Sequence, residues 1–270
     1  MLSARKQVVF ITGASSGIGK VTAEYLAERG YKVYGTGRNP KRARRSYSLL
    51  PMDVCDTESI RKAIEGILAE EGRIDVLINN AGMGITGPLE DTPTEEMKRV
   101  FDTNFFGPIE VMKSVLPTMR KQKSGLIINI TSIAGYMGLP FRGIYSATKG
   151  ALELISESAR MELKGFGIEV TNVAPGDFST NIIAGRYHAP LLESSAYKEI
   201  YQKSLELMDS HVDQGGDPIQ MAKKIHQIIQ MPSPAVHYKV GAFMQKFSIV
   251  LKRILPSRVY EKLLMNHYKL

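Results

Sequence analysis

Tryptophan is absent from this chain and cysteine occurs once, at Cys55. A lone thiol excludes any disulfide within the chain and suits a reducing compartment. Long apolar runs are missing too. The uncharged stretch from Gly125 to Phe141 holds Asn129, Thr131, Ser132, three glycines and Pro140, which excludes a transmembrane helix. After Arg5 and Lys6 only Val8 to Ile11 are apolar before Thr12-Gly13, too few for a signal peptide. A cytoplasmic protein is therefore expected, and no metal. Disorder is excluded by what is present: 270 residues with 43% hydrophobic and 23% charged side chains can bury a large core.

The net charge of +8 is concentrated in two places. Residues 38–52 carry five basic and no acidic side chains, and residues 236–270 carry seven basic residues against Glu261. Nucleic-acid binders use such patches, but interleaved aromatics and any reader motif are missing, so no nucleic-acid partner is expected.

Short apolar runs alternate with helical periodicity along most of the chain. Strands are expected at Val8–Ile11, Lys32–Thr36, Tyr47–Met52, Ile74–Ile78, Leu126–Ile130 and Ile168–Val173. Helices are expected after the first strand to about Arg29, and at Thr57–Glu71, Thr94–Phe101, Ile109–Lys121, Ile144–Lys164 and Pro218–Gln230. This alternation predicts an α/β fold, a doubly wound parallel sheet of Rossmann type with helices on both faces. Residues 1–241 read as one dinucleotide-binding catalytic domain. Within it the irregular stretch 178–216 reads as a substrate lid. Residues 242–270 read as an amphipathic helical extension and not an independent domain.

Thr12-Gly13-Ala14-Ser15-Ser16-Gly17-Ile18-Gly19 sits between the first strand and the first helix. Glycines there permit a tight turn and close backbone approach to a pyrophosphate, and the helix N-terminus supplies donors. Gly13-x-Ser15-x-Gly17 also matches the nucleophile elbow of serine hydrolases, with His211, His226 and His237 available later. An elbow on the first strand has no earlier strand to carry an oxyanion loop, which disfavours that reading.

Four further pieces follow in order: Asn79-Asn80-Ala81-Gly82 ending a strand, Asn104, Ser132 ending another, and Tyr145-x-x-x-Lys149. Tyr145 and Lys149 lie four apart on a helix and share a face. Ser132 lies at the carboxyl end of a strand, where α/β sheets place ligands. In this order and on these elements, the set resembles the short-chain dehydrogenase/reductase family from about Gln7 to Thr180, with Pro175-Gly176 and Thr180 continuing the match.

The resemblance implies hydride transfer at a carbon bearing oxygen, with a nicotinamide cofactor. Tyr145 would be the proton donor and acceptor, its pKa near 10 lowered by the neighbouring ammonium and the oxidised nicotinamide. Lys149 would also bind the nicotinamide ribose, Ser132 would hold the substrate oxygen, and Asn104 would anchor a relay water. The cofactor contacts would come from Gly13, Ser15, Ser16, Gly17, Ile18 and Gly19, from Thr36 and Arg38, and from Asp53 and Val54 at the adenine. Asn80, Ala81, Gly82, Tyr145, Lys149, Pro175, Gly176 and Thr180 complete that set. An alternative for Asp53 is to cap the helix that starts near Thr57.

An NAD site carries an acid about 20 residues after the glycine turn. Between Glu28 and Asp53 this chain has none; the second strand runs instead into Gly35-Thr36-Gly37-Arg38, then Lys41, Arg42, Arg44 and Arg45. An arginine there can grip a 2′-phosphate, so NADP(H) is expected, with Arg38 discriminating and Arg44 and Arg45 left as solvated charge. Family members that prefer NADP often carry a basic residue where this chain has Ser16.

The expected pocket wall holds Tyr136, Met137, Leu139, Phe141, Phe178, Ile182, Ile183 and Tyr187, with Arg142 and Arg186 as its charges. It points to an apolar ketone, aldehyde or secondary alcohol. Gly35–Arg42, Asn104–Gly135 and Val240-Gly241 are similar to the hydroxysteroid and retinol dehydrogenase-like branch. A 3-oxoacyl thioester reductase is an alternative, with Arg142 or Arg186 meeting an acidic carrier. A non-catalytic dinucleotide-sensing regulator is another. The extension, with Phe243, Phe247, Val250, Leu251 and Ile254 against Lys246, Lys252 and Arg253, could lie on an anionic membrane, cover the pocket or pack on a partner. Packing is the ordinary role of such a helix. The resemblance implies a homodimer or homotetramer through Ile109–Lys121 and Ile144–Lys164. Asn129-Ile130-Thr131 matches a glycosylation sequon, but in an apolar strand it reads as structural.

Overall fold

The computed structural model describes residues 6–40, 45–179, 185–213 and 215–270, with the side chains of 209–213 set aside. Seven parallel strands form one sheet in the order β3-β2-β1-β4-β6-β7-β9, from β1 (Val8–Ile11), β2 (Lys32–Gly37), β3 (Ser48–Pro51), β4 (Val76–Asn79), β6 (Gly125–Ile130), β7 (Ile168–Pro175) and β9 (His237–Val240). The order reverses between β1 and β4, and a doubly wound sheet opens a ligand crevice at that point. Strands buried on both faces explain the near-continuous apolar runs: every residue of β1 is fully buried.

On one face pack α2 (Thr57–Glu71), α4 (Gly107–Gln122) and α5 (Gly143–Leu163), through Ile60, Ile67, Val111 and Val115 among others. On the other face lie α1 (Gly17–Glu28) and α7 (Ile219–Ile229), through Ala23, Leu26, Ile225 and Ile228. The helix expected over Thr57–Glu71 has those ends because Asp56 accepts from the Glu58 and Ser59 backbone and Gly72 turns left-handed after it. The expected strands and helices are all present, with ends shifted by up to two residues. α3 (Thr94–Phe101) runs into a π-helical turn at Asp102–Phe106.

Three features depart from the sequence reading. The stretch 178–216 is not wholly irregular: it contains α6 (Lys198–Asp213). Its strand β8 (Tyr187–His188) pairs with β5 (Ile85–Thr86), and Tyr201 on α6 donates to the Thr86 carbonyl at 2.9 Å. Two-residue strands carry no readable alternation. The edge strand β9 is a further addition. The extension is two helices, α8 (Phe243–Ile254) and α9 (Ser257–Tyr268), broken at Leu255-Pro256 where proline cannot continue the ladder. Among the described residues, no helix is long and apolar enough to cross a membrane.

Candidate active site

The carboxyl ends of β1, β4, β6 and β7 meet over the crevice. Gly13 and Gly17 adopt positive φ, 67° and 54°, which the turn requires and side-chain-bearing residues resist. A Cβ on Gly13 would stand 2.7 Å from the Ala81 Cα. This contact locks the turn against the end of β4. Thr12 Oγ1 accepts from the Asn80 and Ala81 amides, and Asn80 Nδ2 donates to the Thr12 and Gly13 carbonyls, all at 3.0 Å. Asn79 points elsewhere, to Asn129 Oδ1 at 2.9 Å. Asn129 is fully buried and donates to Ser156, as the structural reading of the sequon expected.

The residues present fit a dinucleotide. Ser16 is the N-cap of α1 yet its side chain caps nothing, so the first backbone donors of the helix stay open to an anion. Ser15 and Ser16 are exposed beside them, Gly17 and Ile18 are half-buried, and Ile18 lines the cleft. Thr36 Oγ1, at the end of β2, is buried with no partner among the described residues. Arg38 is exposed just beyond it. Lys41, Arg42 and Arg44 lie outside the described residues. Arg45 does not behave as the solvated charge expected of it: its Nη1 donates to Tyr47 OH at 2.9 Å, and Tyr47 donates to the Ala14 carbonyl at 2.6 Å inside the glycine turn. Its Nε is buried without an acceptor. Asp53 is not the cap of α2, since Asp56 fills that role; its Oδ1 accepts from the Cys55 amide at 2.9 Å. Val54 is buried against Gly107.

Ser132, Tyr145 and Lys149 come together at the end of β6. Ser132 begins a short 3-10 turn, accepts from the Ala134 amide at 3.1 Å and lines the cleft beside Tyr145. Lys149 is buried and its Nζ donates to the Ile130 carbonyl at 3.0 Å. Gly82 keeps the space in front of it open: a Cβ there would lie 3.4 Å from Nζ and 3.1 Å from Asn104 Oδ1. Asn104 is fully buried, accepting from the Met83 amide and donating to the Met83 carbonyl, both at 2.8 Å, and to Thr148 at 3.2 Å. Its side chain is thus fully engaged within the protein.

The protein's own electrostatics act on Tyr145 in both directions. Burial raises the Tyr145 pKa, and the main opposing charge is the Arg142 guanidinium, 5.7 Å from the ring centroid, assisted by the Ser132 hydroxyl. Lys149 has its own pKa lowered to about 8 by burial, with the Glu153 charge acting the other way. Protein alone leaves this tyrosine protonated at neutral pH.

The cleft is lined by Ile18, Ile85, Phe178, Arg142, Arg186 and Asp177 around Ser132 and Tyr145. Of the apolar wall expected from sequence, Phe178 is in place. Tyr136, Met137 and Leu139 turn toward the extension, packing with Ile249, Tyr260 and Leu264, and Phe141 packs on Tyr201. Ile182, Ile183 and Thr180 lie outside the described residues. Asp177 was missed by the sequence reading; it accepts from Gln245 Nε2 of α8 at 2.7 Å. Pro175-Gly176 closes the same side, with the Gly176 amide donating to the Val240 carbonyl at 2.8 Å. The buried Tyr268 of α9 lies within the field of the Arg142 guanidinium. The extension therefore packs on the chain's own site.

A family model described as short chain dehydrogenase matches residues 7–190. The chain is 41% identical over 263 residues to a 3-ketodihydrosphingosine reductase of Bacteroides thetaiotaomicron, covering 97% of this chain and 98% of that protein. A short-chain dehydrogenase from Streptomyces avermitilis superimposes with a TM-score of 0.79 at 31% identity, covering 97% and 98% of the two chains. ElxO with NADP bound superimposes with a TM-score of 0.72 at 29% identity, covering 87% of this chain and 97% of that one. The fold and site define an oxidoreductase of the nicotinamide-dependent type. The chain belongs to the short-chain dehydrogenase/reductase family.

Proposed function

We propose that this protein is an NADP(H)-dependent reductase of a long apolar ketone carrying a polar group near the carbonyl, working in reverse on the matching secondary alcohol. The observation that carries the reading is the Ser132–Tyr145 hydroxyl pair at the mouth of the glycine-turn crevice, with the Lys149 ammonium buried beside it. When bound, the dinucleotide supplies or accepts the hydride. Ser132 holds the substrate oxygen, Tyr145 gives or takes its proton, and Lys149 and Arg142 favour the tyrosinate. The glycine turn and α1 hold the pyrophosphate, Asp53 and Val54 flank the adenine, and Arg38 meets a 2′-phosphate. NADP on ElxO supports that choice.

The substrate class is supported by the mixed cleft, in which Arg142, Arg186 and Asp177 surround Tyr145 while Ile85 and Phe178 supply an apolar side. It is also supported by the reductase similarity, since 3-ketodihydrosphingosine is such a ketone. In this reading residues 1–241 are the catalytic unit, 178–216 its lid and 242–270 part of the pocket wall. Exposed Leu154 and Met161 on α5 suit a homodimer or homotetramer, which a monomer in light scattering would overturn. A second reading for the extension is supported by α8, whose Phe243, Phe247, Val250 and Ile254 form an exposed stripe between basic residues and could rest on an anionic membrane.

The test is Tyr145→Phe with NADPH and a long-chain ketone. Turnover should fall at least ~1,000-fold, in the range of a lost general acid, with NADPH affinity retained. Retained turnover overturns the mechanism.

A further inference from the structure

Behind Tyr145 and Lys149, α5 carries acids at the next two turns, Glu153 and Glu157. Glu153 is buried, a costly place for a carboxylate unless its oxygens are fully bonded. One oxygen accepts from Thr131 Oγ1. The other meets Asn172 Nδ2 at 3.1 Å, Tyr136 OH at 3.1 Å and His237 Nδ1 at 2.7 Å. The far nitrogen of His237 lies 3.1 Å from Glu157 Oε1 at the solvent edge. An imidazole between two carboxylates can donate to both only as the imidazolium.

The register of this cluster ties it to the reaction centre. Two consecutive residues at the end of β6 hold two consecutive turns of α5, the Ile130 carbonyl bonding Lys149 and Thr131 bonding Glu153, while Ser132, the next residue, lines the cleft with Tyr145 one turn before them. The Lys149 ammonium is buried with one carbonyl as its hydrogen-bond acceptor, and the field of Glu153 favours its charge. The titratable and charged groups around Glu153 are Lys149 and Glu157 on α5, Tyr136 on the 3-10 turn, His237 and Lys239 on β9, and Arg253 on α8, which acts on Tyr136. β6 and β7 contribute Thr131 and Asn172, which do not titrate.

We propose that Glu153 is a positioning residue for the reaction: its carboxylate keeps positive charge on Lys149, and His237, braced by Glu157, sets how much of that negative field reaches the lysine. The proposal rests on the reading of Tyr145 and Lys149 as the reacting pair.

The signs can be worked out in advance. Without the Glu153 charge, Lys149 releases its proton more readily, so less cation faces Tyr145 and tyrosinate forms at higher pH. His237→Gln removes the ring nitrogen that sits 2.7 Å from the Glu153 carboxylate, so more of the Glu153 field reaches Lys149 and the shift reverses.

The experiment measures kcat/KM against pH for alcohol oxidation with NADP+, comparing wild type, Glu153→Gln and His237→Gln, with melting curves and NADPH binding alongside. Glu153→Gln should move the rising limb up by about half to one pH unit, and His237→Gln should move it down by a smaller amount. NADPH affinity should stay within about threefold, since the cradle of the glycine turn is untouched. Loss of rate by one constant factor at every pH, with the limb in place, would make Glu153 merely structural and overturn the proposal. Should Glu153→Gln fail to fold, the half-exposed His237→Gln still decides: an unmoved limb overturns the idea. Failure of the parent reading would show separately, as turnover by Tyr145→Phe.

Discussion

Gly13→Ala tests the glycine turn most directly. The native φ of 67° disfavours alanine, and its Cβ would sit 2.7 Å from the Ala81 Cα, a backbone atom that cannot swing aside. Ordinary contact needs about 3.4 Å or more, so the turn and the end of β4 must part by roughly 0.7 Å, straining the bonds from Asn80 Nδ2 and to Thr12 Oγ1. Left-handed strain of about 1 kcal/mol and overpacking of about 1–3 kcal/mol together predict a loss of about 2–4 kcal/mol. For a chain of this size that lowers Tm by about 5–15 °C. Loss of two phosphate-facing amide bonds should weaken NADPH binding by about 100-fold or more. Gly66→Ala is the counter-experiment: Gly66 lies exposed inside α2 with nothing within 4 Å of a new Cβ. It should gain about 0.5–1 kcal/mol from helix propensity and leave NADPH binding unchanged. Scanning calorimetry and dinucleotide fluorescence read both effects, the latter with no tryptophan background. A Gly13→Ala protein that melts lower yet binds NADPH as wild type does would refute the cradle; one that melts normally would refute the steric argument.

Arg142→Gln removes the main charge that opposes the raised Tyr145 pKa, at 5.7 Å from the ring, so the rising limb of alcohol oxidation should move up by about one pH unit after allowance for partial exposure. A limb that stays put or moves down contradicts that account. Arg38→Asp should raise the NADPH KM at least ~30-fold and change the NADH KM by less than about threefold, because it exchanges a phosphate partner for a repulsive charge. Equal changes would remove Arg38 from the 2′-phosphate site. Phe243→Glu with Phe247→Glu alters a stacked pair that is solvent-facing on α8, so activity on a water-dispersed short ketone should persist. Sedimentation with phosphatidylglycerol vesicles should be lost in the same protein; wild-type protein that never sediments ends the membrane reading.

What was legible in the sequence was whatever local chemistry decides. The runs at Val8–Ile11 and Leu126–Ile130, the helical periodicity of Thr57–Glu71 and the glycines of the first turn need no distant partner to be understood, although the cap of α2 proved to be Asp56 and not Asp53. What escaped depends on approach from far along the chain. The amphipathic pattern of α8 identified an apolar stripe, but not which residues face the chain: the inward face is held by Gln245, Ser248, Ile249 and Leu251, through Asp177 and the Met137 cluster, while Phe243 and Ile254 point out. Asp177 and Arg142 acquire their setting from Gln245 and Tyr268, which no spacing rule connects to them. Arg45 looked like one more charge in a basic run until Tyr47 carried it to the Ala14 carbonyl. Glu153 shows the limit most clearly. Its place one turn beyond Lys149 is plain in the sequence, but a glutamate at that spacing is ordinarily a solvated helix face. Only the arrival of Thr131, Asn172 and His237 from three strands of the sheet makes it a buried charge with something to act upon.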